Sequence, residues 1–117
     1  LWFSKPYKIG GTIADNVLLH GVGAYNQDAF VARNGKPENV IHAGFASKES
    51  GLHPTQKPIS LMKTLIELTT QEGQLVIDPF SGSGSTLVAA KELGRSYIGF
   101  ELNPAYVEIS KKRLKDK

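Results

Sequence analysis

Leu75-Val76-Ile77-Asp78-Pro79-Phe80-Ser81-Gly82-Ser83-Gly84-Ser85-Thr86 starts as an apolar run, ends as the opening of a helix, and turns between the two on glycine. The run Leu75 to Ile77, bounded by Gly73 and Asp78, has the form of a strand buried on both faces of a parallel sheet. Downstream, Ser85 to Leu93 has helical composition with Leu87 and Ala90 facing inward, and Gly94 supplies a left-handed stop. Tyr97-Ile98-Gly99-Phe100 reads as a second strand closed by Glu101, and Asn103 caps a further helix whose first residue is Pro104. Upstream, Leu61, Met62, Leu65 and Leu68 follow the i, i+1, i+4, i+7 spacing of one buried helix face. That helix is predicted from Thr55, with Pro58 in its first turn and Gly73 ending it. The order helix, strand, helix, strand, helix predicts a right-handed βαβ unit, hence an α/β fold with part of a doubly wound parallel sheet.

Residues 1–50 are glycine-rich and lack helical periodicity. Leu1 to Phe3, Val17 to Leu19 and Ala29 to Val31 read as β-like stretches, the last ending at Asn34-Gly35, a dipeptide suited to a tight hairpin turn. The expected organisation is one domain, with a strand and loop region over 1–52 and a ligand-binding α/β region over 53–117. A chain of 117 residues is of a size to bury roughly two-thirds of the surface it exposes when unfolded.

Composition narrows the chemistry. Apolar residues at 40% and charged residues at 21% are those of a globular domain. With no cysteine there is no disulfide framework or thiolate metal site, and three scattered histidines give no tandem ligand spacing, so no metal is expected. No apolar run reaches the ~18 to 20 residues of a membrane span, and no leader pattern opens the chain, so a cytoplasmic protein is expected. The net charge of +3 is compatible with a nucleic-acid partner. Lys111, Lys112, Arg113, Lys115 and Lys117 crowd the C-terminus, where they read as a solvated helix end favoured by the helix dipole. His20 and His42 read as hydrogen-bonded structural histidines, and Tyr25, Phe30 and Tyr97 as core.

The loop from Asp78 to Thr86 sits where open α/β sheets bind ligands, beyond the carboxyl end of a strand and at a helix N-terminus. Gly82 and Gly84 allow close backbone approach, and the amides near Ser85 and Thr86 attract an anionic group. Taken alone, these features also describe a tight turn with a capped helix. Glu101, closing the next strand roughly 20 residues on, adds the carboxylate that a ribose diol requires. The dinucleotide fingerprint wants a third glycine where Leu87 stands, and no Gly-Lys-Ser or Gly-Lys-Thr occurs for a nucleotide-hydrolase loop. A ligand with an adenine, a ribose and a small zwitterionic tail fits, and S-adenosylmethionine is such a ligand.

Three segments in order, His53-Pro54-Thr55-Gln56-Lys57-Pro58, then Asp78 to Thr86, then Gly99-Phe100-Glu101-Leu102-Asn103-Pro104-Ala105-Tyr106, resemble the amino-group DNA methyltransferases, which methylate adenine N6 or cytosine N4. The order resembles the permuted β-type, in which the cofactor half follows the catalytic half, and the likeness is close over residues 53 to 114. It implies a Rossmann-like S-adenosylmethionine-dependent methyltransferase fold, double-stranded DNA as partner, and a role in restriction-modification. A homodimer is one arrangement to be tested, and no membrane or metal is implied. By position, Asp78 and Phe80 would shape the pocket floor, Gly82 and Gly84 pass under the methionine part, and Ser85 and Thr86 approach its carboxylate. Glu101 would take the ribose hydroxyls, with Leu102, Asn103 and Pro104 against the adenine, and Thr55 and Lys57 would reach the methionine tail from the other side. A lysine beside a carboxylate forms a charge-assisted hydrogen bond, which agrees with the last assignment. Without that ligand, Thr55 would cap the helix and Lys57 would be solvated.

The family's transfer loop, an acidic or polar residue followed by two prolines and an aromatic, has no counterpart, because no two prolines adjoin in this sequence. The permuted order would place that loop upstream of Leu1, so the chain reads as an inactive fragment and no residue in it is assigned a catalytic role. Residues 36–52 occupy the place of a short target-recognition segment, where Lys36, Asn39, His42 and Lys48 would either touch DNA or lie in a solvated loop. Two other readings accompany this one: a methyltransferase acting on RNA or a small molecule, and a non-catalytic remnant that binds cofactor, nucleic acid or a protein.

Overall fold

A computed structural model of the chain describes residues 11, 12, 14, 15, 18, 26–36, 40–45, 51 and 53–116. Its elements are helix α1 (Gln27–Asn34), helix α2 (Ile59–Thr69), strand β1 (Leu75–Asp78), helix α3 (Ser85–Glu92), strand β2 (Ser96–Gly99) and helix α4 (Pro104–Lys115). The strands pair in parallel, Leu75 opposite Ser96 through Asp78 opposite Gly99, with α3 as the crossover between them. The expected βαβ unit with its flanking helices is therefore present.

The core forms where α3 is narrowest. Ala89 and Ala90 are fully buried and Val88 nearly so, and these small side chains let Ile59 and Ile66 of α2 close onto α3. Met62, Val76, Leu93, Tyr97 and Leu114 complete the cluster, joining both strands and α4 to it. Gly99 lies on the same sheet face, where a Cβ would come within 2.5 Å of Leu87 Cδ1. Arg95 ties the end of α2 to the start of β2, donating from Nε to Thr70 Oγ1 (3.1 Å), from Nη2 to the Thr70 carbonyl (2.8 Å) and from Nη1 to the Leu93 carbonyl (2.5 Å).

Five expectations are corrected. β1 is not buried on both faces: Val76 and Tyr97 point to the core, while Leu75, Ile77 and Ile98 on the other face are 51%, 57% and 44% exposed, uncovered by the described residues. Ala29 to Val31 is helical, so 1–52 is not solely strands and loops. Asn26 accepts from the Ala29 amide at the start of α1, and Gly35, at φ 86°, donates its N–H to the Val31 carbonyl at its end. Asn34-Gly35 is thus a left-handed helix stop rather than a hairpin turn. α2 begins at Ile59, not Thr55, because Pro58 at φ −59° and ψ 137° is its N-cap, and it ends at Thr69, before Gly73. Its inward face is also rotated: Ile59, Thr64, Ile66 and Leu68 are buried, whereas Leu65 is exposed.

α1 packs on α2, and Arg33 crosses to Glu67 with two parallel bonds, Nε to Oε2 at 2.8 Å and Nη2 to Oε1 at 2.6 Å. The glutamate holds the Arg33 guanidinium above its ordinary pKa. Phe30 is buried, as expected, and Tyr97 packs at the margin of the cluster formed by Ile59, Ile66, Val88, Ala89 and Ala90. Leu1 to Phe3, Val17, Leu19, His20, Tyr25, Asn39 and Lys48 lie outside the described residues, as does Lys117. Among the described residues, no helix is long and apolar enough to cross a membrane.

Candidate cofactor site

Both strands run out at the same edge, and the backbone beyond them is tied together. Phe100 donates its amide to the Asp78 carbonyl (2.9 Å), and Ser81 donates its amide to the Phe100 carbonyl (2.9 Å). The chain then turns through Gly82 at φ 51° and Gly84 at φ 80°, values that L side chains rarely adopt. Glu101 closes the arrangement: Oε2 accepts from the Gly82 amide (3.0 Å) and Oε1 from the Asn103 amide (2.8 Å). The glycine turn and the strand-end acid thus meet directly.

These bonds set the charge of Glu101. The Asn103 amide above all, then the Gly82 and Leu102 amides and the nearby His53, hold its carboxyl below the usual carboxylate value against a partial desolvation. Asn103 also accepts from the Ala105 amide through Oδ1 (3.0 Å), capping α4 as expected with Pro104 in its first turn.

The other wall is the segment before α2. His53 Nδ1 accepts from the Thr55 amide (3.1 Å), which places the proton of a neutral ring on Nε2. The ring stands 4.2 Å from that of Tyr106, tilted by 54°. His53 Cδ2 and Nε2 would both be 3.4 Å from a Cβ added at Gly82. Lys57 curls back to donate to the Thr55 carbonyl (3.2 Å), and Thr86 Oγ1 lies 3.4 Å from Met62 Sδ.

Between the walls is a cleft of about 250 Å³ lined by His53, Thr55, Gln56, Lys57, Asp78, Phe80, Ser81, Gly82, Ser83, Ser85 and Thr86. It brings together Thr55, Lys57, Asp78, Phe80, Gly82, Ser85 and Thr86 from two segments remote in sequence. Glu101, Leu102, Asn103 and Pro104 do not line it; they form the adjoining ridge, reached through the Glu101 to Gly82 bond. Phe80, in the lining, and Leu102, next to Glu101, are 87% and 100% exposed. Gly84 faces away from the cleft, with its α-hydrogens against Ser110 of α4.

Chemically, the cleft offers a cation in Lys57, an anion in Asp78, and the first amides of α3, which no helix carbonyl can satisfy. A zwitterion finds complementary charge on both of its groups there. At about 250 Å³ the cleft is smaller than the usual 300 to 1,000 Å³ ligand pocket and suits an amino-acid tail, leaving a larger remainder to lie over the ridge. Among the described residues, no group of His, Cys, Asp and Glu is placed to hold a metal ion.

Two contributors escaped the sequence reading. His53 buttresses the glycine turn although it carries no assigned role, and only its place at the head of the 53–58 segment pointed to it. Arg113, expected in solvent, is half-buried and reaches the back of the same turn. Tyr106, Ser110 and Arg113 fall at i, i+4 and i+7, one face of α4, which is the signal that could have found it.

A family model described as DNA methylase matches residues 1–112. The type II methyltransferase M.HindIII of Haemophilus influenzae is 47% identical over 97% of this chain, which spans 38% of that protein. Among solved structures, the M1.HpyAVI–SAM complex superposes with a TM-score of 0.54 at 41% identity, over 68% of this chain and 42% of that one. The PvuII cytosine-N4-specific DNA methyltransferase gives a TM-score of 0.67 at 26% identity, over 77% of this chain and 35% of that one. The chain therefore spans about two-fifths of the length of the proteins it resembles.

Proposed function

Because this chain belongs to the DNA methylase family, we propose that it is the S-adenosylmethionine-binding part of a DNA methyltransferase acting on an exocyclic amino group, adenine N6 or cytosine N4. The single observation that carries this reading is the direct bond between Glu101 and the Gly82 amide, which joins a zwitterion-sized cleft to a carboxylate ridge suited to a ribose. Lys57 and the α3 amides would hold the donor's carboxylate and Asp78 its ammonium. Glu101 keeps acceptor capacity for a ribose hydroxyl, since each carboxylate oxygen has a second lone pair. The bound cofactor supplies a methyl group on a cationic sulfonium, and the acids Asp78 and Glu101 at the two strand ends favour that charge.

The amine of a paired base is reachable only after the base leaves the stack. These 117 residues contain no double-proline loop to receive it, so on this reading they bind donor without turning it over. Residues 53–117 form the donor region, and 36–52 the segment nearest in role to target contact. The chemistry extends to double-stranded DNA as substrate and to a restriction-modification setting in the cytoplasm.

Isothermal titration of the chain with S-adenosylmethionine, with NAD as control, is expected to give saturable heat for the first ligand only. Heat from NAD and none from the methyl donor would overturn the cofactor assignment. In the whole protein, labelled methyl transfer to duplex DNA is expected, with the product base identified by mass; transfer to RNA in preference to DNA would overturn the substrate.

A further inference from the structure

The cleft has a back wall, where Arg113 of α4 reaches the turn without lining the cleft itself. Arg113 Nη1 donates to the Ser83 carbonyl (2.6 Å) and lies 3.2 Å from Ser83 Oγ and 3.3 Å from Ser85 Oγ. Both serines are buried and both line the cleft on their other side. Between them, Gly84 packs so closely on Ser110 that a Cβ there would meet its Oγ at 2.1 Å. One guanidinium thus grips three oxygens of a turn already pressed against α4.

That grip has a chemical consequence at the front. A guanidinium only donates, so the hydroxyls of Ser83 and Ser85 act as acceptors toward Arg113 and must turn their own hydrogens elsewhere. The open direction is the cleft, where two O–H donors, polarised by a cation behind them, stand beside the first amides of α3. Resting on the cofactor reading above, we infer that Arg113 is a positioning residue for the donor's carboxylate. It fixes the Ser83 to Ser85 turn and sets both hydroxyls to donate to an anion it does not itself touch. A residue that only held the fold would make no distinction between ligands with and without that carboxylate.

The test compares S-adenosylhomocysteine, which carries the carboxylate, with methylthioadenosine, which lacks the whole amino-acid end, on the wild-type chain and on Arg113→Ala and Arg113→Lys. Arg113→Ala is expected to weaken S-adenosylhomocysteine roughly ten-fold while leaving methylthioadenosine unchanged, and Arg113→Lys to recover only part of the loss, since its ammonium ends one atom short of the place Nη1 occupies beside the three oxygens. Adding Ser85→Ala to Arg113→Ala is expected to cost little more, because the two act through one contact. Equal weakening of both ligands, or none of either, would overturn the positioning role. Amide hydrogen exchange over residues 82 to 86 reads the clamp without any ligand and is expected to quicken in Arg113→Ala; unchanged exchange would overturn the clamp. If the wild-type chain bound neither compound, the donor reading and the carboxylate role would fail together, while the exchange rates would still decide whether Arg113 holds the turn.

Discussion

Gly84→Ala is expected to lower the stability of the chain by about 3 kcal/mol, summing the ~1 to 2 kcal/mol of a left-handed non-glycine residue and the ~1 to 3 kcal/mol of overpacking. The backbone there sits at φ 80°, and the added methyl would lie 2.1 Å from Ser110 Oγ, 3.0 Å from its Cβ and 3.3 Å from its Cα. Rotating the serine side chain removes only the first clash, so α4 itself must retreat. Retreat loosens what that helix holds, the Arg113 bonds at the turn and the Asn103 amide on Glu101. A fall in thermal midpoint of roughly 10 to 20 °C is the corresponding measurement by circular dichroism. A midpoint within about 2 °C of wild type would show that the turn and α4 are not in contact as described. Gly82→Ala is the instructive control: its methyl meets the His53 ring at 3.4 Å, an ordinary contact, so only the strained φ of 51° remains.

Glu101→Ala is expected to weaken S-adenosylmethionine roughly 10- to 100-fold, the range for hydrogen bonds to a charged group. Two effects combine. The ribose loses its acceptor, and the Gly82 and Asn103 amides lose theirs, so the turn and the α4 cap part company. Glu101→Gln separates the two, since its single carbonyl oxygen accepts from one amide but not both with full charge. Undiminished affinity in folded Glu101→Ala would mean that the sugar is held elsewhere.

The same carboxylate carries a pH dependence whose sign is fixed. Its folded pKa lies below the unfolded value of 4.5, so its stabilising contribution is present above that value and is lost as pH falls through the folded pKa. The thermal midpoints of wild type and Glu101→Gln should therefore differ at about pH 6 and converge as pH drops below about 4.5.

How much of this was legible beforehand follows the range of the interactions. The βαβ unit rests on local signals, apolar runs of strand length, glycine stops and the Asn103-Pro104 start of α4, and those elements lie where they were read. α1 was misread because Phe30 is its only fully buried residue, so Ala29-Phe30-Val31 looked like a strand; its capping pair, Asn26 and Gly35, was the better guide. Leu65 and Ile66 exchange places because α2 packs on both α1 and α3, and one apolar stripe does not predict a helix with two neighbours. At the site, Gly82 and Glu101 were found by spacing. The partner of Gly84 was not, because a close approach to a ligand and to a helix 26 residues downstream demand the same missing methyl. Arg113 was missed for a related reason: among five basic residues, composition could not tell the one that turns inward.

The uncovered side of the sheet has a practical corollary. Among the described residues nothing covers Leu75, Ile77 and Ile98, which make an aliphatic ladder along one face of the sheet. Environment-sensitive dyes seek such surface, so the native state of this chain would fluoresce with them before any melting, and brightness would report its architecture rather than its damage.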